Sequence, residues 1–113
     1  MSFTYLASPY TPTAGEDIQT RVDEACRYAA HLIRGGDCVF SPIAHSHYVA
    51  EHLHDSLKMD HELWLTQDLA ILRHCERVIV LCLPGWQRSK GIAREIEAAN
   101  AANIPVEFVD AAD

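Results

Sequence analysis

Several kinds of segment are missing from this sequence of 113 residues. No apolar run approaches the roughly 18 residues of a membrane helix, and no charged leader precedes an apolar core, so a cytoplasmic protein without a membrane partner is expected. The four cysteines, Cys26, Cys38, Cys75 and Cys82, include no CxxC pair and each lies in or beside an apolar stretch; buried free thiols are expected rather than disulfides or metal ligands. Basic residues are few. Nine Lys and Arg against sixteen Asp and Glu leave a net charge of −7, which argues against nucleic acid and anionic membranes as partners. A small anionic ligand stays open, because helix N-termini supply a local positive field. There is neither a Walker loop nor a GxGxxG fingerprint, so ATP and a full NAD are not signalled. The missing GxSxG elbow weakens a serine-hydrolase reading. No repeat, linker or low-complexity segment divides the chain, and its length suits one domain over residues 1–113 with limited core, a size at which oligomerisation often adds stability.

What is present is organised around Arg77 to Asn100. Val78 to Leu83 is short and continuously apolar, the pattern of a strand buried on both faces of a parallel sheet. Pro84 and Gly85 end it, Ser89 stands as an N-cap, and Ile92, Ile96 and Ala99 form the inward stripe of a helix. Glu95 falls on that inward side, where a carboxylate needs either a partner or a chemical purpose. Earlier in the chain, Phe3 to Ala7 reads as a strand, Tyr10 to Gly15 as a loop, Glu16 to Arg34 as a helix stopped by Gly35-Gly36, and Asp37 to Ser41 as a second buried strand. His45 to His54 suits an amphipathic helix with Val49 and Leu53 inward, Asp55 to Lys58 a loop, and Asp60 to His74 a firmer helix with a broad apolar side. Ile104 to Val109 is a fourth strand, and the last three residues read as a frayed tail. This order predicts a small α/β, doubly wound three-layer sandwich, flavodoxin-like or Rossmann-like, with about four parallel strands.

In such a sheet the loops after the strands gather at the carboxyl edge. They bring Tyr5, Ser8, Ser41, His45, Ser89, Gly91 and Glu95 toward one cleft, and the helix ending near His74 can set Asp68 and Trp64 against it. Two carboxylates suit cleavage of a glycosidic bond, one ionised to attack and one acidic to protonate the leaving group. The plainer reading of the same spacing leaves Asp68 solvated and pairs Glu95 with Arg94 or Lys90. The seven histidines include His47 and His54, which with Glu51 give a partial metal-binding face, but solvated or hydrogen-bonded histidines are expected and no metal is. Trp64, Trp86 and Tyr10 are open between stacking on a base and packing against the protein.

Three segments carry a resemblance: Tyr5 to Tyr10 (YLASPY), Asp68 to Val80 (DLAIL followed by CERVIV), and above all Ser89-x-Gly91-x-x-x-Glu95. They resemble the nucleoside 2-deoxyribosyltransferase superfamily. The serine of the last motif is similar to that of the 2′-deoxynucleoside 5′-monophosphate N-hydrolase branch, and Phe40 to His47 (FSPIAHSH) with Pro84-Gly-Trp86 resemble a small bacterial and phage group within it. The resemblance implies Glu95 as nucleophile at C1′, Asp68 as the group that protonates or orients the departing base, and Tyr5 as the residue holding Glu95. Ser89 and the Gly91 backbone would cradle the 5′-phosphate, with Ser8, His45 and Trp64 as further substrate contacts. It also implies a homodimer or higher homo-oligomer, a nucleotide or nucleoside substrate and no cofactor. Transfer between bases, a non-catalytic nucleotide-binding or sequestering module, and hydrolysis of an ADP-ribose-type ligand remain as alternatives.

Overall fold

The computed structural model describes residues 2–12, 15–58 and 60–110. Its strands are β1 (Phe3–Ala7), β2 (Cys38–Phe40), β3 (Arg77–Leu81) and β4 (Val106–Val109), and its helices are α1 (Ile18–Arg34), α2 (Pro42–Ala50), α3 (Asp55–Lys58), α4 (His61–Leu72) and α5 (Lys90–Ala101). The four strands form one parallel sheet in the order β2-β1-β3-β4. This is the doubly wound three-layer sandwich that the sequence predicts.

Alternation along the central strands divides the core in two. Tyr5, Ala7, Val78 and Val80 face a layer made by Leu69 and Leu72 of α4 and Ile92 and Ala99 of α5. Leu6, Ile79 and Leu81 face the opposite layer, where Tyr28, Ala29 and Leu32 of α1 pack. A smaller cluster, Val22, Ala25 and Ile43, joins α1 to α2. The chain leaves β1 toward β2 and leaves β3 toward β4, so α1 and α5 depart over opposite faces of neighbouring strands. That divergence is a topological switch point, the place where open parallel sheets form a ligand crevice.

Local capping explains where the helices differ from their expected bounds. Asp17 accepts a hydrogen bond from the Thr20 amide at 2.9 Å, so α1 starts at Ile18 rather than Glu16. Ser41 caps α2 and Pro42 takes its first position, where a missing N–H costs nothing; the helix therefore begins at the strand exit instead of at His45, and it ends at Ala50. Asp55–Lys58, expected as a loop, forms one helical turn. Asp60 receives the Glu62 and Leu63 amides, both at 3.1 Å, and starts α4. Val49, expected to face inward, is 45% exposed. Pro105 has no N–H for the ladder, yet its carbonyl accepts from Val78 at 2.9 Å, so β4 proper starts only at Val106. Among the described residues no helix is long and apolar enough to cross a membrane. Residues 111–113, expected to fray, lie outside the described residues.

Candidate active site

Tyr5 is central on the central strand β1 and fully buried. Its hydroxyl donates to Oε2 of Glu95, which α5 carries over the sheet. Glu95 is 6% exposed and Asp68, reaching in from the neighbouring α4, is 8% exposed. These three side chains thus come from three separate elements, joined only because α4 and α5 pack side by side on the Tyr5 face. The plainer alternatives do not hold: Glu95 is bonded to Tyr5, while Arg94 turns outward to Glu62 at 3.1 Å, and Asp68 is buried rather than solvated.

Burial sets the charges. It pushes the Glu95 carboxyl up to about 8; the Tyr5 hydrogen bond opposes this and the Asp68 charge adds to it. Desolvation raises Asp68 to about 6. The Tyr5 hydroxyl is held far above an ordinary phenol by burial and then by the Glu95 charge, so it acts as a permanent donor. Both carboxyls are raised, so burial holds a proton on the pair near neutral pH. Asp68 Oδ1 is buried with no hydrogen-bond partner. A buried acceptor left unpaired costs on the order of 1–3 kcal/mol. Such an oxygen is suited to receive a ligand donor or to exchange a proton with a ligand.

The family model of DUF1937, a domain of unknown function, matches residues 2–111. The chain belongs to the DUF1937 family. No curated protein matches it.

Around the carboxylate pair, the DUF1937 chain builds an aromatic wall. The Phe40 ring lies 5.8 Å from that of Tyr5, and the His45 ring lies 5.4 Å from Phe40. His45 sits on α2, not in a loop, and is exposed on the far side of Phe40. Sequence reasoning missed Phe40; it ends β2 and pairs in register with Tyr5, and the signal available was its place at the exit of an expected strand. Tyr10, in the loop after β1, meets Nδ1 of His47 at 3.0 Å and so ties that loop to α2. His54 instead contacts Ser56 at 3.0 Å, and among the described residues no three or more His, Cys, Asp or Glu are placed to hold a metal ion. All four cysteines are free, but only Cys75 is fully buried and Cys26 is exposed, because it lies on the outer side of α1.

The motif residues of the DUF1937 chain take up their expected helix start. Ser89 caps α5, its Oγ accepting from the Ile92 amide at 3.2 Å. The first-turn amides of Lys90 and Gly91 precede the first intrahelical bond, from Ala93 to the Ser89 carbonyl at 3.1 Å, and so belong to the half-positive end of the helix. A Cβ at Gly91 would meet nothing closer than Ser89 Oγ at 3.8 Å, so the fold itself does not demand glycine there. Replacing Ser89 by Ala is expected to cost about 1 kcal/mol in denaturant unfolding, the ordinary worth of a cap, with a larger loss in binding of any anion held there. Ser8 is half-buried after β1 with its Oγ unpartnered. Trp64 is half-buried one turn before Asp68. Trp86 lies at the other side of the crevice, its ring 5.4 Å from Phe108 of β4, a protein contact rather than an open stacking face.

Proposed function

We propose that this protein is an N-glycosidase that hydrolyses the bond between base and sugar in a 2′-deoxynucleoside 5′-monophosphate or a related nucleotide. The observation that carries the reading is the buried pair itself: Glu95 held by the Tyr5 hydroxyl, with the unpartnered oxygen of Asp68 beside it, at the switch point of a parallel sheet. The resemblance to the nucleoside 2-deoxyribosyltransferase superfamily supports it, and so does the capped N-terminus of α5, a ready position for a phosphate.

In this reading an oxygen of ionised Glu95 attacks C1′ and forms an ester bond as the C1′–N bond breaks, its electron pair leaving with the base. Asp68 delivers the proton that neutralises the base. It then takes a proton from water, which attacks C1′ and regenerates Glu95 with release of deoxyribose 5-phosphate. The Tyr5 hydroxyl stabilises the Glu95 anion and fixes its direction. The productive arrangement has the proton on Asp68 and none on Glu95, and substrate favours it by placing the base as an acceptor against Asp68. That arrangement carries one proton, and kcat/KM is therefore expected to follow a bell with limbs near the two carboxyl values, about 6 and about 8. The same reading has the protein in the cytoplasm as a homodimer or higher homo-oligomer, with no cofactor.

The test is incubation of the purified protein with a panel of nucleosides and nucleoside 5′-monophosphates, with chromatography of released base. Release from a monophosphate in water alone supports hydrolysis. Release that requires a second base converts the reading to deoxyribosyl transfer. Thermal stabilisation by a nucleotide that stays intact overturns catalysis in favour of a binding module.

A further inference from the structure

Arg21 is an unusual core residue: a cation only 1% exposed, in the first turn of α1. Its Nη2 donates to the Pro84 carbonyl at 2.5 Å and pairs with Oε1 of Glu16 at 3.0 Å. Its Nε and Nη1 are buried with no hydrogen-bond partner. Both contacts fall on one nitrogen, so the planar fork that normally grips an anion with two parallel bonds is left half used. Burying a guanidinium with idle donors is costly. The position gives that cost a meaning. Pro84 belongs to the loop after β3 and Glu16 to the segment entering α1, so Arg21 joins the two loops that part to form the crevice. Ser8, where β1 runs into the same edge, adds a buried hydroxyl without a partner.

We propose that Arg21 anchors an anion site at this crevice, occupied at rest by the Glu16 carboxylate and taken over by a phosphoryl or carboxylate group of a ligand. Glu16 is suited to yield, because its side chain is 26% exposed where the guanidinium it pairs with is 1% exposed. A tetrahedral or planar anion in its place grips one edge of the fork, Nη2 together with Nε or with Nη1, and so satisfies a donor that the resting state leaves idle. The charge balance supports the exchange: one anion leaves the buried cation and another replaces it, so no uncompensated charge is buried at either end. The site does not depend on cleavage by Glu95, which lies on the opposite face of the sheet from α1.

The experiment measures melting temperature at constant ionic strength against inorganic phosphate, a deoxynucleoside 5′-monophosphate and the matching nucleoside. A Glu95→Gln background prevents turnover, so failure of the glycosidase reading does not affect the result. Phosphate or the monophosphate is expected to stabilise saturably, and the nucleoside to stabilise less. Glu16→Gln removes the competing carboxylate and is expected to lower the half-saturating concentration about tenfold, the size of one charge-assisted contact. Arg21→Lys is expected to abolish the part of the effect that Glu16→Gln enhances, which a phosphate held at the start of α5 would not show; if that variant does not fold, Glu16→Gln still decides. Stabilisation by both phosphate and the monophosphate identifies a site for the free anion, and by the monophosphate alone a site for the ligand's own phosphoryl group. No stabilisation, equal stabilisation by the nucleoside, or an unchanged or weakened midpoint in Glu16→Gln overturns the proposal.

Discussion

Glu95→Gln is expected to release base from its best monophosphate at least about 10³-fold more slowly than the native protein, with the fold intact. The amide keeps the size of the carboxylate, and its carbonyl still accepts from Tyr5, so nothing in the packing of α5 against β1 is lost. What is lost is the electron pair that forms the bond to C1′. A variant that retained a tenth of the rate would remove Glu95 from the chemistry. Asp68→Asn separates the two roles. It leaves the nucleophile but removes the proton donor, so the loss is expected to be about 10²–10⁴-fold for an ordinary base and much smaller for a base that departs without protonation. Intact mass after rapid quenching supplies the direct observation: an adduct of one deoxyribosyl phosphate on the native protein, and none on Glu95→Gln.

The carboxylate pair was legible because its helix announces itself. Ser89 caps, Ile92 and Ala99 are buried, and Glu95 between them had to share that side; the structure places all four as the spacing requires. The strands were legible for the same reason, since short apolar runs such as Val78 to Leu81 have few other solutions in a chain this short. What the pattern could not supply was the partner. Tyr5 and Glu95 are 90 residues apart, and only the pairing of β1 beside β3 with α5 above them brings the hydroxyl to the carboxylate.

The segment from 42 to 58 was misread because its information is in caps rather than in periodicity. Ser41-Pro42 looked like the end of a strand and is also the start of a helix, since a proline that cannot join a ladder is at ease in a first turn. His45, expected to open the helix, consequently lies inside its first turn, and with it comes the tilted contact with Phe40 that gives the site its wall. Arg21 was overlooked for a different reason. A charged residue in an amphipathic helix is assigned to solvent by default, and only the Pro84 carbonyl, 63 residues away, explains why this one is drawn inside.

Stability should fall as the pH rises from about 4 to about 8, and Glu95→Gln should remove most of that fall. The sign follows from where protons bind. Burial pushes folded Glu95 up to about 8 against 4.5 for an ordinary glutamate carboxyl, so between these values the native state keeps a proton that the unfolded chain releases. The contribution of neutral Glu95 is therefore complete below the unfolded value and is lost as the pH climbs through the folded one. Asp68 acts in the same direction over a lower window, from 3.8 to about 6. Burial is the larger cause in both, and Tyr5 softens it for Glu95 by donating to the ionised form. The Glu95 share amounts to a few kcal/mol, which in a domain of this size moves the melting temperature on the order of 10 °C. The readout is the difference in melting temperature between Glu95→Gln and the native protein at each pH, because surface carboxyls titrate alike in both and cancel. That difference should be smallest near pH 4.5 and should grow in favour of Gln up to about pH 8, where it levels. A difference that stays constant from pH 5 to 9 would mean that Glu95 is already ionised throughout, with solvent or an unseen cation supplying what burial withholds, and the one-proton pair would have to be abandoned.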